Sequence, residues 1–130
     1  MPSIRMIDET TAGGRFEAPP LDLSDESLTV RDLISLRVRA EVRRYNSERS
    51  GRFYGLVQPN DLERLLNGPT ERQFKPIDAD RQVDVALKAF CDQRFLVLLP
   101  DGQAEDLDTP VRLRDGDEVS FMRLVPLMGG

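Results

Sequence analysis

Five consecutive apolar residues, Phe95-Leu96-Val97-Leu98-Leu99, run straight into Pro100-Asp101-Gly102. A run this short, closed by a turn signal, reads as a buried strand rather than a helix. The chain must therefore provide other strands to flank it and further elements to cover it. The Pro-Asp-Gly turn returns the chain as a hairpin, with Gln103-Ala104-Glu105-Asp106-Leu107 as a short return strand. Pro110-Val111-Arg112-Leu113-Arg114 follows, then a tight Asp115-Gly116-Asp117 turn, and Glu118-Val119-Ser120-Phe121-Met122-Arg123-Leu124 forms the last strand. Pro126 cannot donate to a ladder, so that strand should end at about Val125.

The other end of the chain supplies a second hairpin. Residues 3–8 read as a strand, and Arg15-Phe16-Glu17-Ala18 through Leu21-Asp22-Leu23 as its return, with Thr10-Thr11-Ala12-Gly13-Gly14 between them. Pro19-Pro20 interrupts the return strand and confines it to a sheet edge or a bulge.

Helical periodicity occupies the middle. Val30, Leu33, Ile34, Val38, Val42 and Tyr45 recur at helical spacing behind Thr29 as N-cap and Asp32 in the first turn, which predicts a helix over about 29–46. Arg31, Arg37, Arg39, Glu41, Arg43 and Arg44 are read as its solvated face. Pro59-Asn60 at the start and Gly68-Pro69 at the stop bracket a short helix. A third helix is expected over 78–92, where Val83, Ala86, Leu87 and Phe90 share one face behind Asp78 and Asp80. Strands and helices in this order place the chain in the α+β class, and 130 residues suffice for one domain with its own core.

Composition removes several function classes. With no histidine and a single cysteine, the chain can build no Ser-His-Asp triad, no Cys-His pair, no histidine metal site and no internal disulfide. Cys91 falls in a helical apolar pattern and is expected to be a small core or boundary residue. The net charge of −5 argues against nucleic acid as the main ligand, since phosphate binding wants a basic field. No apolar stretch approaches membrane-spanning length, and Met1-Pro2-Ser3-Ile4-Arg5 has no secretory pattern, so a cytoplasmic, soluble protein is expected. Of the 18 basic residues only Lys75 and Lys88 are lysine. That leaves few internal amines, although a GC-rich genome would favour arginine as well.

The sequence closes on Gly129-Gly130, directly after Pro126-Leu127-Met128. Two glycines without Cβ can be drawn through a narrow slot, and a nucleophile can approach the carboxyl carbon unhindered. By composition alone two terminal glycines occur in about one chain in 200.

The order of hairpin, helix, apolar strand, short strand, Asp-Gly turn, final strand and diglycine resembles the β-grasp fold. The segment from Arg114-Asp115-Gly116-Asp117 to Gly129-Gly130 is similar to the C-terminus of the small sulfur carriers of molybdopterin and thiazole synthesis. Arg123, Leu124 and Leu127 ahead of the glycines look more like ubiquitin, and the mixture resembles bacterial ubiquitin-like modifiers best. The resemblance covers roughly 1–46 and 94–130. It makes residues 47–93 an insertion with two short helices between the main helix and the third strand, and 125–130 a flexible tail.

The resemblance implies a protein that is acted upon. An activating enzyme of E1 type would adenylate the Gly130 carboxylate using its own ATP and magnesium, and this chain would need no cofactor. An E2-like conjugating enzyme, a deubiquitinase-like metalloprotease and a target protein joined by an isopeptide bond would complete the partners. An antiviral role would be the expectation for such systems. In the sulfur-carrier alternative, sulfide leaves Gly130 as a thiocarboxylate; a β-grasp interaction domain with incidental glycines is a third reading. The implied sites are Gly129 and Gly130 for conjugation, with Leu127, Met128, Leu124, Met122 and Arg123 for partner binding. The outward half of Phe95–Leu99 joins Met122 and Leu124 as a docking patch, unless the inserted helices cover it.

Overall fold

The computed structural model describes residues 2–24, 27–48, 55–56 and 76–124. The expected helix between Pro59 and Pro69, and the 125–130 tail, lie outside these. The described elements are seven strands and two helices. They run β1 (Ser3–Thr10), β2 (Arg15–Asp22), β3 (Ser27–Thr29), α1 (Val30–Glu48), α2 (Ala79–Cys91), β4 (Phe95–Leu99), β5 (Gly102–Gln103), β6 (Pro110–Arg112) and β7 (Glu118–Arg123). The class is α+β. A mixed five-stranded sheet has the order β2-β1-β7-β4-β5, and β3 pairs separately with β6. Among the described residues no helix is long and apolar enough to cross a membrane. The chain divides into two compact units, residues 1–33 with 89–130, and residues 34–88.

The first unit holds the sheet. β1 and β2 form the expected hairpin, closed where Thr10 N donates to Gly14 O at 3.0 Å and Gly13 N to Thr10 O at 3.0 Å. Gly13 takes a φ of 98°, which a side chain would resist. The ladder slips by one residue between Ile4/Leu21 and Met6/Ala18, so the extra residue falls at Pro19-Pro20. Those prolines thus produce both expected effects: β2 is an edge strand, and it carries a bulge. β1 and β7 pair in parallel, Met6 opposite Val119 and Asp8 opposite Phe121. β4 pairs antiparallel with β7, Val97 opposite Phe121.

One sheet face carries Ile4, Met6, Val97, Val119 and Phe121, all at most 4 % exposed. Phe95 joins them, its ring centroid 5.9 Å from Phe90 and 6.5 Å from Phe121, both tilted contacts. β4 does not bury both faces as its unbroken apolar run suggested. Phe95 and Val97 are buried, whereas Leu96 and Leu98 on the opposite, more open face are half-buried; Leu99, on the side of Val97, is half-buried as the last residue of the strand.

Helix α1 begins at a reciprocal cap: Thr29 Oγ1 accepts from Asp32 N at 3.2 Å and Asp32 Oδ2 accepts from Thr29 N at 3.0 Å. The two preceding helical N–H groups go elsewhere, Val30 N to Thr109 O and Arg31 N to Leu107 O. Segment 107–109 therefore satisfies donors that no helix can satisfy for itself. Thr29 thus caps the helix as expected, and Ser27–Thr29 ahead of it form strand β3 against β6, an element that the sequence reading did not include. Helix α2 starts where Asp78 Oδ1 accepts from Asp80 N and Arg81 N. It ends in a left-handed residue that is not glycine. Gln93 sits at φ 59°, with Gln93 N bonded to Phe90 O at 3.0 Å and Arg94 N to Ala89 O at 2.9 Å.

The second unit corrects the reading of α1's polar face. Arg31, Arg39, Arg43 and Arg44 are exposed, but Arg37 is only 1 % exposed. Position 37 lies four residues after Leu33 and three after Ile34, so it belongs geometrically to the apolar stripe. Its Nη2 meets Glu41 Oε2 at 3.3 Å, and Glu41 Oε1 accepts from Leu56 N at 3.0 Å. Asn46 fixes residue 77 in the same unit, accepting from Ile77 N and donating to Ile77 O.

Two stability outcomes follow from these sites. Glu41→Ala leaves a buried guanidinium without this carboxylate and should cost about 3 kcal/mol. Arg37→Met with Glu41→Leu should cost less than that single change, read by urea denaturation. Gln93→Gly relieves about 1–2 kcal/mol of left-handed strain against about 0.5–1 kcal/mol of added unfolded-state entropy. It should raise the midpoint in the same assay.

Candidate functional site

The described part of the implied site, Met122 to Leu124, lies at the end of β7. The Asp115-Gly116-Asp117 turn fixes the start of the strand. Gly116 has a φ of 88°, and Arg114 N donates to Asp117 Oδ2 at 2.8 Å, closing the turn on itself. The same turn grips the start of β1. Ser3 N donates to Asp115 Oδ1, Gly116 N to Ser3 O and Arg5 N to Asp117 O, each at 2.8 Å. Three bonds between residues more than 110 positions apart set the parallel register before β7 begins.

At the other end, Arg123 O accepts from Thr11 N at 3.1 Å and Leu124 N donates to Arg94 O at 3.1 Å. The last described residues are thus held on one side by the β1–β2 turn and on the other by the residue that follows the α2 cap. Leu124 is 38 % exposed. Arg123 is half-buried, opposite Phe95 and Thr10 in the ladders, and Met122 is half-buried opposite Leu96 and Glu9. Leu127, Met128, Gly129 and Gly130 lie outside the described residues, so the structure gathers only Met122, Arg123 and Leu124 of the residues named from sequence.

The more open sheet face continues from Met122. Leu96 and Leu98 share it by register, as do Ile7, at 2 % exposure, and Ser120. Beside them stands an ion ladder that sequence reading missed. Arg5 meets Glu17 at 2.7 Å and Glu118 at 3.6 Å, and Arg15 meets Glu9 at 2.8 Å and Glu118 at 3.7 Å. The hydrogen bond that Arg5 donates to Glu17 raises the Arg5 guanidinium above its ordinary pKa. Its signal was present as charges of one parity, Arg5 and Glu9 on either side of Ile7 on one strand, Arg15 and Glu17 two apart on the next. Exposed pairs of this kind add little stability but divide the face into a charged half and an apolar half.

A cleft of about 420 Å³ opens elsewhere in the first unit, lined by Arg31, Phe90, Cys91, Gln103, Asp106 and Asp108 among others. Arg31 pairs there with Asp108 at 3.4 Å. Cys91 is exposed, contrary to the expected core or boundary position, because it is the last residue of α2 and lies beyond the buried Phe90. Among the described residues no cluster of three or more acidic or cysteine side chains is arranged to hold a metal ion.

Leu124, exposed just beyond the end of β7, should tolerate substitution without loss of the fold. Leu124→Asp should alter stability by less than about 0.5 kcal/mol, whereas Phe121→Ala on the closed face should cost about 3–5 kcal/mol. Thermal unfolding of the two variants tests the contrast. No protein-family model, no curated protein and no solved structure matches the chain.

Proposed function

We propose that the chain is a β-grasp, ubiquitin-like modifier, activated at the Gly130 carboxylate and joined to amines of target proteins. One observation supports the reading: the order β2-β1-β7-β4-β5, with the first and last long strands adjacent and parallel, is compatible with a β-grasp-like sheet. In that arrangement β7, the strand that ends just before Leu124, lies in the middle of the sheet rather than at an edge.

The chemistry belongs to partners. The Gly130 carboxylate attacks the α-phosphorus of ATP, bound with magnesium in an activating enzyme, and pyrophosphate leaves. A thiolate of that enzyme takes the acyl group and releases AMP, the thioester passes to a conjugating enzyme, and a target amine displaces the thiolate to form an amide. A deubiquitinase-like metalloprotease would hydrolyse the product. Gly129 and Gly130 give the narrow, unhindered approach that each step needs. Leu127 and Met128 supply apolar anchors for a partner channel, and Met122, Arg123 and Leu124 its rim. The chain itself contributes no catalytic group, and ATP-dependent activation of this kind sets the cytoplasm as its place of action.

Trypsin offers a direct test. Cleavage after Arg123 leaves Leu124–Gly130 attached to the ε-amine of a modified lysine, a branched peptide that mass spectrometry identifies unambiguously. A tagged chain expressed in its native cells and purified under denaturing conditions should yield such peptides. They should vanish when Gly129 and Gly130 are deleted. A sulfur-for-oxygen mass change at Gly130 without branched peptides would replace this reading with sulfur transfer. Finding neither would leave the glycines incidental.

A further inference from the structure

The outer edge of β2 combines an exposed aromatic ring with a backbone turned outward. Phe16 is 67 % exposed, the most exposed of the large apolar side chains described. Arg5 N and Thr11 N both donate toward β7, so the odd-numbered residues of β1 between them turn their backbone groups that way. The even-numbered ones, Asp8 among them, therefore pair with β2. Asp8 stands opposite Phe16, so Phe16 also points its backbone inward, and Arg15 and Glu17 present theirs to the outside. Among the described residues no strand pairs with that edge.

We propose that this edge pairs with the same edge of a second copy of the chain, antiparallel and centred on Phe16. The segment Arg15-Phe16-Glu17 is complementary to itself under a two-fold axis. Arg15 of each copy falls opposite Glu17 of the other, at positions whose outward N–H and C=O groups exchange two hydrogen bonds per pair. Phe16 falls opposite its own counterpart at the intervening site, where the strands approach most closely. Gly14 and Ala18 then face each other, and their small size leaves room for both rings. Pro19 and Pro20 supply no N–H, so the pairing stops there and a slipped register gains nothing. Bulges and edge prolines elsewhere discourage association, yet here they shield only residues 19–22 and leave the self-complementary stretch bare. Two copies would join their five-stranded sheets across β2, in a contact at the small end of specific interfaces. The inference does not depend on the modifier reading.

The experiment uses the full chain with Cys91→Ser as background. Opposed residues at the close-approach site lie about 4.5 Å apart between Cα atoms, within the span of a disulfide. Under mild oxidation Phe16→Cys should therefore form a disulfide-linked dimer at least tenfold faster than Ala12→Cys, an exposed control on the neighbouring turn. Adding Arg15→Glu or Glu17→Arg singly should slow that reaction by setting like charges opposite each other, and adding both should restore it. Circular dichroism of each variant confirms that the fold is retained. If Phe16→Cys oxidises no faster than Ala12→Cys, or if the double charge exchange fails to restore the rate, the proposal is wrong.

Discussion

The parallel pairing of β1 with β7 is the constraint on which the sheet depends. It joins residues 5–10 to residues 118–123, so nearly the whole chain forms a loop that must close before the centre of the sheet exists. Closing so long a loop costs entropy and leaves the partners without local guidance. The Asp115-Gly116-Asp117 turn offsets this by meeting β1 with three backbone-directed hydrogen bonds at its first residues. The hairpin partner β2 and the antiparallel strand β4 flank this pair on its two sides.

The same economy of local fixing recurs at the helix ends. Thr29 and Asp32 close a reciprocal cap, and the carbonyls of 107 and 109 receive the next two donors, so the start of α1 is tied to the loop before β6. At the end of α2, Gln93 accepts a left-handed backbone, and Arg94 thereby reaches a position where its carbonyl receives Leu124 N. A strained residue and the end of the last strand are consecutive links in one backbone path. Leu124, the last described residue, therefore stands at a point held on two sides.

Much of this was legible beforehand because it rests on short-range signals. Thr10 to Gly14 as a turn, Pro19-Pro20 as an edge-strand interruption, Thr29 as a cap and Asp115-Gly116 as a turn each act within a few residues, where sequence and geometry are nearly the same thing. Arg37 was misread because charge was taken as a guide to solvent, although its spacing from Leu33 and Ile34 placed it on the buried side. Strand β3 over Ser27–Thr29 was missed because a three-residue strand exists only through a partner 80 or so residues away, and no local pattern announces it.

For the candidate site the division is sharper. The sequence by itself determined the material: a final strand leading to Gly129-Gly130, no histidine to build a nucleophile's base, and an apolar Phe95–Leu99 that had to lie inside a sheet. Only the tertiary structure decided that this final strand is central and parallel to the first, that Leu96 stands across from Met122, and that Arg5, Arg15, Glu9, Glu17 and Glu118 converge on one face. Side-chain alternation and turn chemistry are encoded by neighbours in the chain. Strand order is encoded by which distant segments can bury one face together, and that choice is made only when the sheet closes.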